Sequence, residues 1–91
     1  MWKRIKNAIS FKKRNKIAKD QRKRTSEIIL AVFRRLLHCG TLQELEYYTG
    51  YYTGITDNSE TAGEITKEQK RQILQVIRYI STGERERLEN E

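Results

Sequence analysis

Eight apolar positions crowd into residues 28–39: Ile28, Ile29, Leu30, Val32, Phe33, Leu36, Leu37 and Cys39. They recur at steps of one, three and four, which predicts a helix over about 26–39 with a broad apolar arc. Glu27, Ala31, Arg34, Arg35 and His38 fill the remaining surface. Gly40 follows as the expected left-handed residue that ends such a helix. Next, Thr41-Leu-Gln-Glu44 has the spacing of a capping box and predicts a helix start. Leu42, Leu45, Tyr48 and Tyr52 share one face of that second helix, expected over about 42–53. The stretch TDNSETAGE, residues 56–64, is polar and rich in turn formers and reads as a loop. Thr66-Lys-Glu-Gln69 is a second capping box. Ile73, Leu74, Val76, Ile77 and Ile80 then predict a helix over about 67–81, with Ser81-Thr-Gly83 as its stop.

The first quarter has a different pattern. Trp2, Ile5, Ala8 and Ile9 fall on one helical side for about three turns. Lys12, Lys16, Lys19 and Lys23 then form a stripe at spacings of i, i+4, i+7 and i+11, with only Phe11 and Ile17 as large apolar neighbours. Such a segment frays when unbound, because its charges repel and it buries little. The expected architecture is therefore all-α: a highly basic N-terminal helical arm (1–24), a three-helix core domain (25–83) and a charged flexible tail (84–91).

Charge sharpens this division. Residues 1–24 hold eleven basic side chains and one acid, a net +10; residues 25–91 hold eight basic side chains and eleven acids, a net −3. A dense basic block on a mildly acidic body points to a polyanionic partner. For nucleic acid, Lys12, Lys13, Arg14, Lys16, Lys19, Arg22, Lys23 and Arg24 are the candidate phosphate contacts. Asn15 and Gln21 stand among them as side chains able to reach base edges. An anionic membrane surface is the competing target. Trp2, Ile5 and Ile9 beside many lysines would supply a short anchor plus a polybasic patch.

Residues 20–37, DQRKRTSEIILAVFRRLL, are similar in general arrangement to the basic region of basic helix-loop-helix proteins. In both, a basic cluster runs into an amphipathic helix. Where that pattern carries a Glu-Arg pair this chain has Asp20-Gln21, and its apolar spacing does not align. The resemblance is therefore one of architecture.

The repeat YYTGYYTG, residues 47–54, holds four of the five tyrosines. A period of four is nearly one helical turn, so Tyr47 stacks on Tyr51 and Tyr48 on Tyr52. Tyr48 and Tyr52 extend the Leu42–Leu45 face. Tyr47 and Tyr51 lie at its edge and are candidates for a protein contact. Gly50 marks either the helix end or the close approach of another helix. A protein-interaction factor of the phage or mobile-element type, which binds and modulates a host protein, is the second functional reading.

Enzymatic chemistry finds little to build on. One histidine, one cysteine and no phosphate-binding glycine loop give no catalytic constellation. His38-Cys39 lacks the further ligands a zinc site needs, and no cofactor is implied. The single cysteine, the lack of an apolar leader and a longest apolar run of six residues, Ile28 to Phe33, lead to the expectation of a cytoplasmic protein. The arc over 28–37 is wide for a three-helix monomer, so pairing of two chains through it is expected.

Overall fold

The computed structural model describes the backbone of residues 2–91 and the side chains of residues 13–91. It contains three helices, α1 (Trp2–Leu36), α2 (Leu42–Thr61) and α3 (Lys67–Glu89), and no strand among the described residues. The expected all-α class holds. The boundaries differ from the sequence reading in four places, each for a visible physical reason.

No break separates the basic segment from the first core helix. α1 runs through both as 35 residues, about 52 Å at 1.5 Å per residue. Its end is earlier than expected, at Leu36, and Gly40 does not take a left-handed conformation. The turn closes instead through Leu37 N–H to the Phe33 carbonyl and His38 N–H to the Arg35 carbonyl, both 3.3 Å. The left-handed residue is Gly63, at φ 77°, and it ends α2. There Glu64 N–H reaches the Ser59 carbonyl (2.8 Å) while Gly63 N–H reaches that of Glu60 (3.0 Å). This Schellman arrangement satisfies carbonyls that a helix end leaves free.

The expected loop over 56–64 is therefore mostly helix, since α2 continues to Thr61. Thr56 and Ser59 prolong the inward face of Leu45 and Tyr52 and are fully buried. The Thr56 hydroxyl donates to the Tyr52 carbonyl at 2.7 Å, so it enters the core with its hydrogen bond made. Likewise α3 does not stop at Ser81-Thr-Gly83. Ser81 turns inward and donates to the Arg78 carbonyl at 3.2 Å, and the helix runs on to Glu89. The expected flexible tail is its last two turns. Leu88 packs on the core, and Arg87 Nη2 donates to the Cys39 carbonyl at 2.9 Å.

Both helix starts lie where the capping pattern put them. Thr66 Oγ1 accepts from Gln69 N–H (3.0 Å), and Gln69 Oε1 accepts from Thr66 N–H (2.9 Å). At α2, Thr41 Oγ1 accepts from Glu44 N–H, but the Glu44 carboxylate reaches one residue further back, to Gly40 N–H, both at 3.1 Å. The core consists of Ile28, Val32, Leu36, Cys39, Leu45, Tyr52, Ile65, Ile73, Ile77 and Ile80. It gathers at one end of a particle measuring 68 × 17 × 15 Å. The N-terminal part of α1 continues past that core, which is what sets up the candidate site.

Candidate nucleic-acid interface

The body lets go of α1 at Gln21. Arg24 is the last cation of the basic segment to engage it. Its Nη2 donates to Ser59 Oγ (3.5 Å), Nη1 lies 3.7 Å from Glu27 and Nε lies 3.6 Å from Glu64. Arg24 Nε is buried with no hydrogen bond of its own, so the Glu64 carboxylate compensates it through space. Gln21 Nε2 donates to the Gly63 carbonyl at 3.3 Å. Together they clasp the C-terminal turn of α2. Two residues grouped with the basic arm by sequence thus anchor it to the body.

From Lys13 to Lys23 the other cations are free. Lys13, Arg14, Lys16, Lys19, Arg22 and Lys23 are exposed, and none forms an ion pair among the described residues. Ile17 is half exposed. Lys12 and the anchor residues Trp2, Ile5 and Ile9 lie outside the described side chains. Elsewhere four of the eight cations are matched, and Arg34, Arg35, Lys67 and Arg78 form no ion pair among the described residues: Lys70 Nζ is 2.7 Å from Asp57, Arg71 is 3.4 Å from Glu68 and Arg85 is 3.4 Å from Glu46. Arg87 lies between Glu84 (2.7 Å) and Glu91 (2.9 Å). The Lys70 hydrogen bond to Asp57 raises the Lys70 pKa above the ordinary lysine value, and Glu84 does the same for Arg87. Among the described residues, unmatched positive charge is densest on the projecting part of α1, from Lys13 to Lys23.

Lys16, Lys19 and Lys23 occupy one side of that helix, and exposed Arg34 falls near the same line at about 100° per residue. Leu30, Phe33 and Leu37 lie on this side as well and stay 51%, 42% and 46% exposed. They account for the excess width of the apolar arc, since only Ile28, Val32, Leu36 and Cys39 of that run are buried. Phe33 and Leu37 face Val76, Tyr79, Ile80 and Gly83 across an open groove of about 1060 Å³. Tyr79 is 85% exposed and belongs to no face expected from the sequence. Its position about 130° from the Ile73–Ile77–Ile80 face would have located it.

Tyr47 and Tyr51 are exposed and stacked, with centroids 6.4 Å apart and planes 10° from parallel. Tyr52 is buried and Tyr48 half-buried, with the Arg35 guanidinium 5.3 Å above the Tyr48 ring. Gly50 and Gly54 stand in mid-helix, yet a Cβ at either position would meet nothing within 4 Å. Close approach of a neighbouring helix within the fold is thereby ruled out at Gly50.

Cys39 is buried and donates to the Arg35 carbonyl at 3.3 Å. Burial pushes its thiol pKa up, and the Glu44 and Glu84 carboxylates add to this against Arg87. No cluster of three or more potential metal ligands occurs among the described residues. Within them no helix is long and apolar enough to cross a membrane. Comparison with protein-family models, with curated proteins and with solved structures returned no match.

Proposed function

We propose that this chain is a non-enzymatic nucleic-acid-binding protein that grips duplex DNA with the projecting part of α1. One observation carries the reading. Six exposed cations between Lys13 and Lys23 have no carboxylate partner, on a continuous helix whose far end is fixed in a folded body. A helix about 10–12 Å across fits a major groove about 12 Å wide. Phosphates lie along both walls of such a groove, which suits cations spread over several sides of the helix.

Fluorescence anisotropy with a labelled duplex tests it. The expected plot of log K against log salt has a slope of about −4 to −5, for roughly five or six phosphate contacts. Replacing Lys12, Lys16, Lys19 and Lys23 with Gln should abolish binding at physiological salt. A quadruple variant that binds as tightly as the parent would refute the reading. Anionic vesicles serve as the comparison for the membrane alternative, in which Trp2→Ala would abolish lipid binding.

The second reading, a protein-interaction factor, is favoured by the outer face of α2. Exposed stacked tyrosines beside two glycines with open space above them form a flat surface that a partner helix could approach closely. A partner protein captured by the parent chain and lost with the Tyr47→Ser, Tyr51→Ser double variant would support it.

A further inference from the structure

We infer that α1 reads base sequence, with Asn15 and Arg22 as the specificity-determining residues; this rests on the DNA-binding reading above and extends it. Of the polar groups in the basic segment suited to base edges, the structure removes one: the Gln21 amide is turned to the body and bonded to the Gly63 carbonyl. Asn15 and Arg22 are exposed. Seven residues apart, they share one side of the helix within about 20°, and about 10.5 Å separates them along its axis.

The surroundings of that side fit insertion into a groove. Ala18 and Lys19 lie between the two in sequence, each about 50° from the centre of that side in opposite directions; Ala18 is small and half-buried and exposed Lys19 reaches toward a groove wall. Lys16 and Lys23 flank that side by about 90–110° in one direction, and Arg14 by about 90° in the other. Cations on both flanks face the phosphates of the two groove walls. Asp20, the lone acid of the segment, falls about 150° away, out of the groove. Gln21 and Arg24 fix the rotation of the helix about its axis by clasping the end of α2. The body therefore holds the Asn15–Arg22 side at a set angle.

Chemistry then names the target. An asparagine amide pairs with N6 and N7 of adenine, and an arginine fork with O6 and N7 of guanine, both in the major groove of B-form DNA. The 10.5 Å spacing matches about three base pairs. Double-stranded RNA is disfavoured, because its deep, narrow major groove does not admit a helix.

Selection from a randomised duplex pool, followed by anisotropy at fixed salt, tests this on the full-length chain. The parent should enrich a short motif with an adenine and a guanine about three base pairs apart. Asn15→Ala should lose the adenine preference and Arg22→Lys the guanine preference, each weakening the best site roughly five- to 150-fold. Both should keep the parent's salt slope, because neither removes a charge. Lys16→Gln should weaken all duplexes alike and lower the slope by about one. Circular dichroism should be the same for all. Salt-dependent binding with no sequence preference would overturn the inference and leave the DNA-binding reading standing. A preference that survives both reader variants would also overturn it. Absence of duplex binding would overturn the underlying reading as well.

Discussion

Gly50 and Gly54 show how single positions can run against the fold's own interest. Each sits inside α2 and each faces open space. Glycine in a helix interior costs about 1 kcal/mol relative to alanine, so Gly50→Ala and Gly54→Ala should each stabilise the chain by about that amount in urea unfolding. Gly63→Ala should destabilise it, because its φ of 77° strains any residue with a Cβ. In the core, Leu36 is wholly buried, and Leu36→Ala should cost about 2–5 kcal/mol. Cys39 gives a residue-scale pH prediction. Its thiol pKa lies above the ordinary thiol range in the folded chain. The stability it contributes is therefore whole below that range and declines as pH rises through it toward the folded value. Lys70, also raised, follows the same sign further into alkali. Urea titrations from neutral pH upward should show stability falling, and Cys39→Ala should remove the earlier part of the fall. Thiol labelling of native protein should be far slower than of unfolded protein.

The helix ends show which local signals are reliable. Both capping sequences start helices where they stand, because a threonine hydroxyl three residues before a glutamate or glutamine solves a local hydrogen-bonding problem without outside help. Thr66→Ala removes an acceptor from the complete box at α3 and should cost about 1 kcal/mol. The stops were less legible. TDNSETAGE and Ser81-Thr-Gly83 have turn-forming composition, yet both are helical. Their hydroxyls enter the interior paired with carbonyls of the same helix, at Thr56 and Ser81. Composition gives no sign of that, since it depends on which side the neighbouring helix lies. The extension of α3 matters to the rest of the fold: through Arg87 it holds the Cys39 carbonyl beyond the end of α1.

At the scale of the whole molecule, one long helix joins two environments. Its C-terminal half is a wall of the core, and its N-terminal half projects, with unmatched cations from Lys13 to Lys23. On the side that carries Lys16, Lys19 and Lys23, the same helix presents Leu30, Phe33 and Leu37 next to Tyr79. We propose that two chains pair through this arc, as expected for residues 28–37, which would set two basic helices near one another. Like charges oppose that arrangement and a polyanion relieves it. Sedimentation should therefore show self-association that strengthens when duplex is added and is lost in Phe33→Glu with helicity unchanged. A chain that stays monomeric with and without duplex would refute the pairing.

The sequence by itself determined the helical class, both capped helix starts, most of the buried face of each helix and the separation of +10 from −3. Each of these is local or additive: hydroxyl spacing, periodicity and charge count do not depend on what lies across the core. Tertiary structure alone decided which part of the wide apolar arc is covered, because α2 and α3 fill only the Ile28–Val32–Leu36 side. It also decided that Arg24 and Gln21 belong to the body, since their partners Ser59, Glu64 and Gly63 are some 35 to 42 positions away. By taking those two out of the basic segment and fixing its rotation, the fold turns a charged stretch into a helix with a defined outward side.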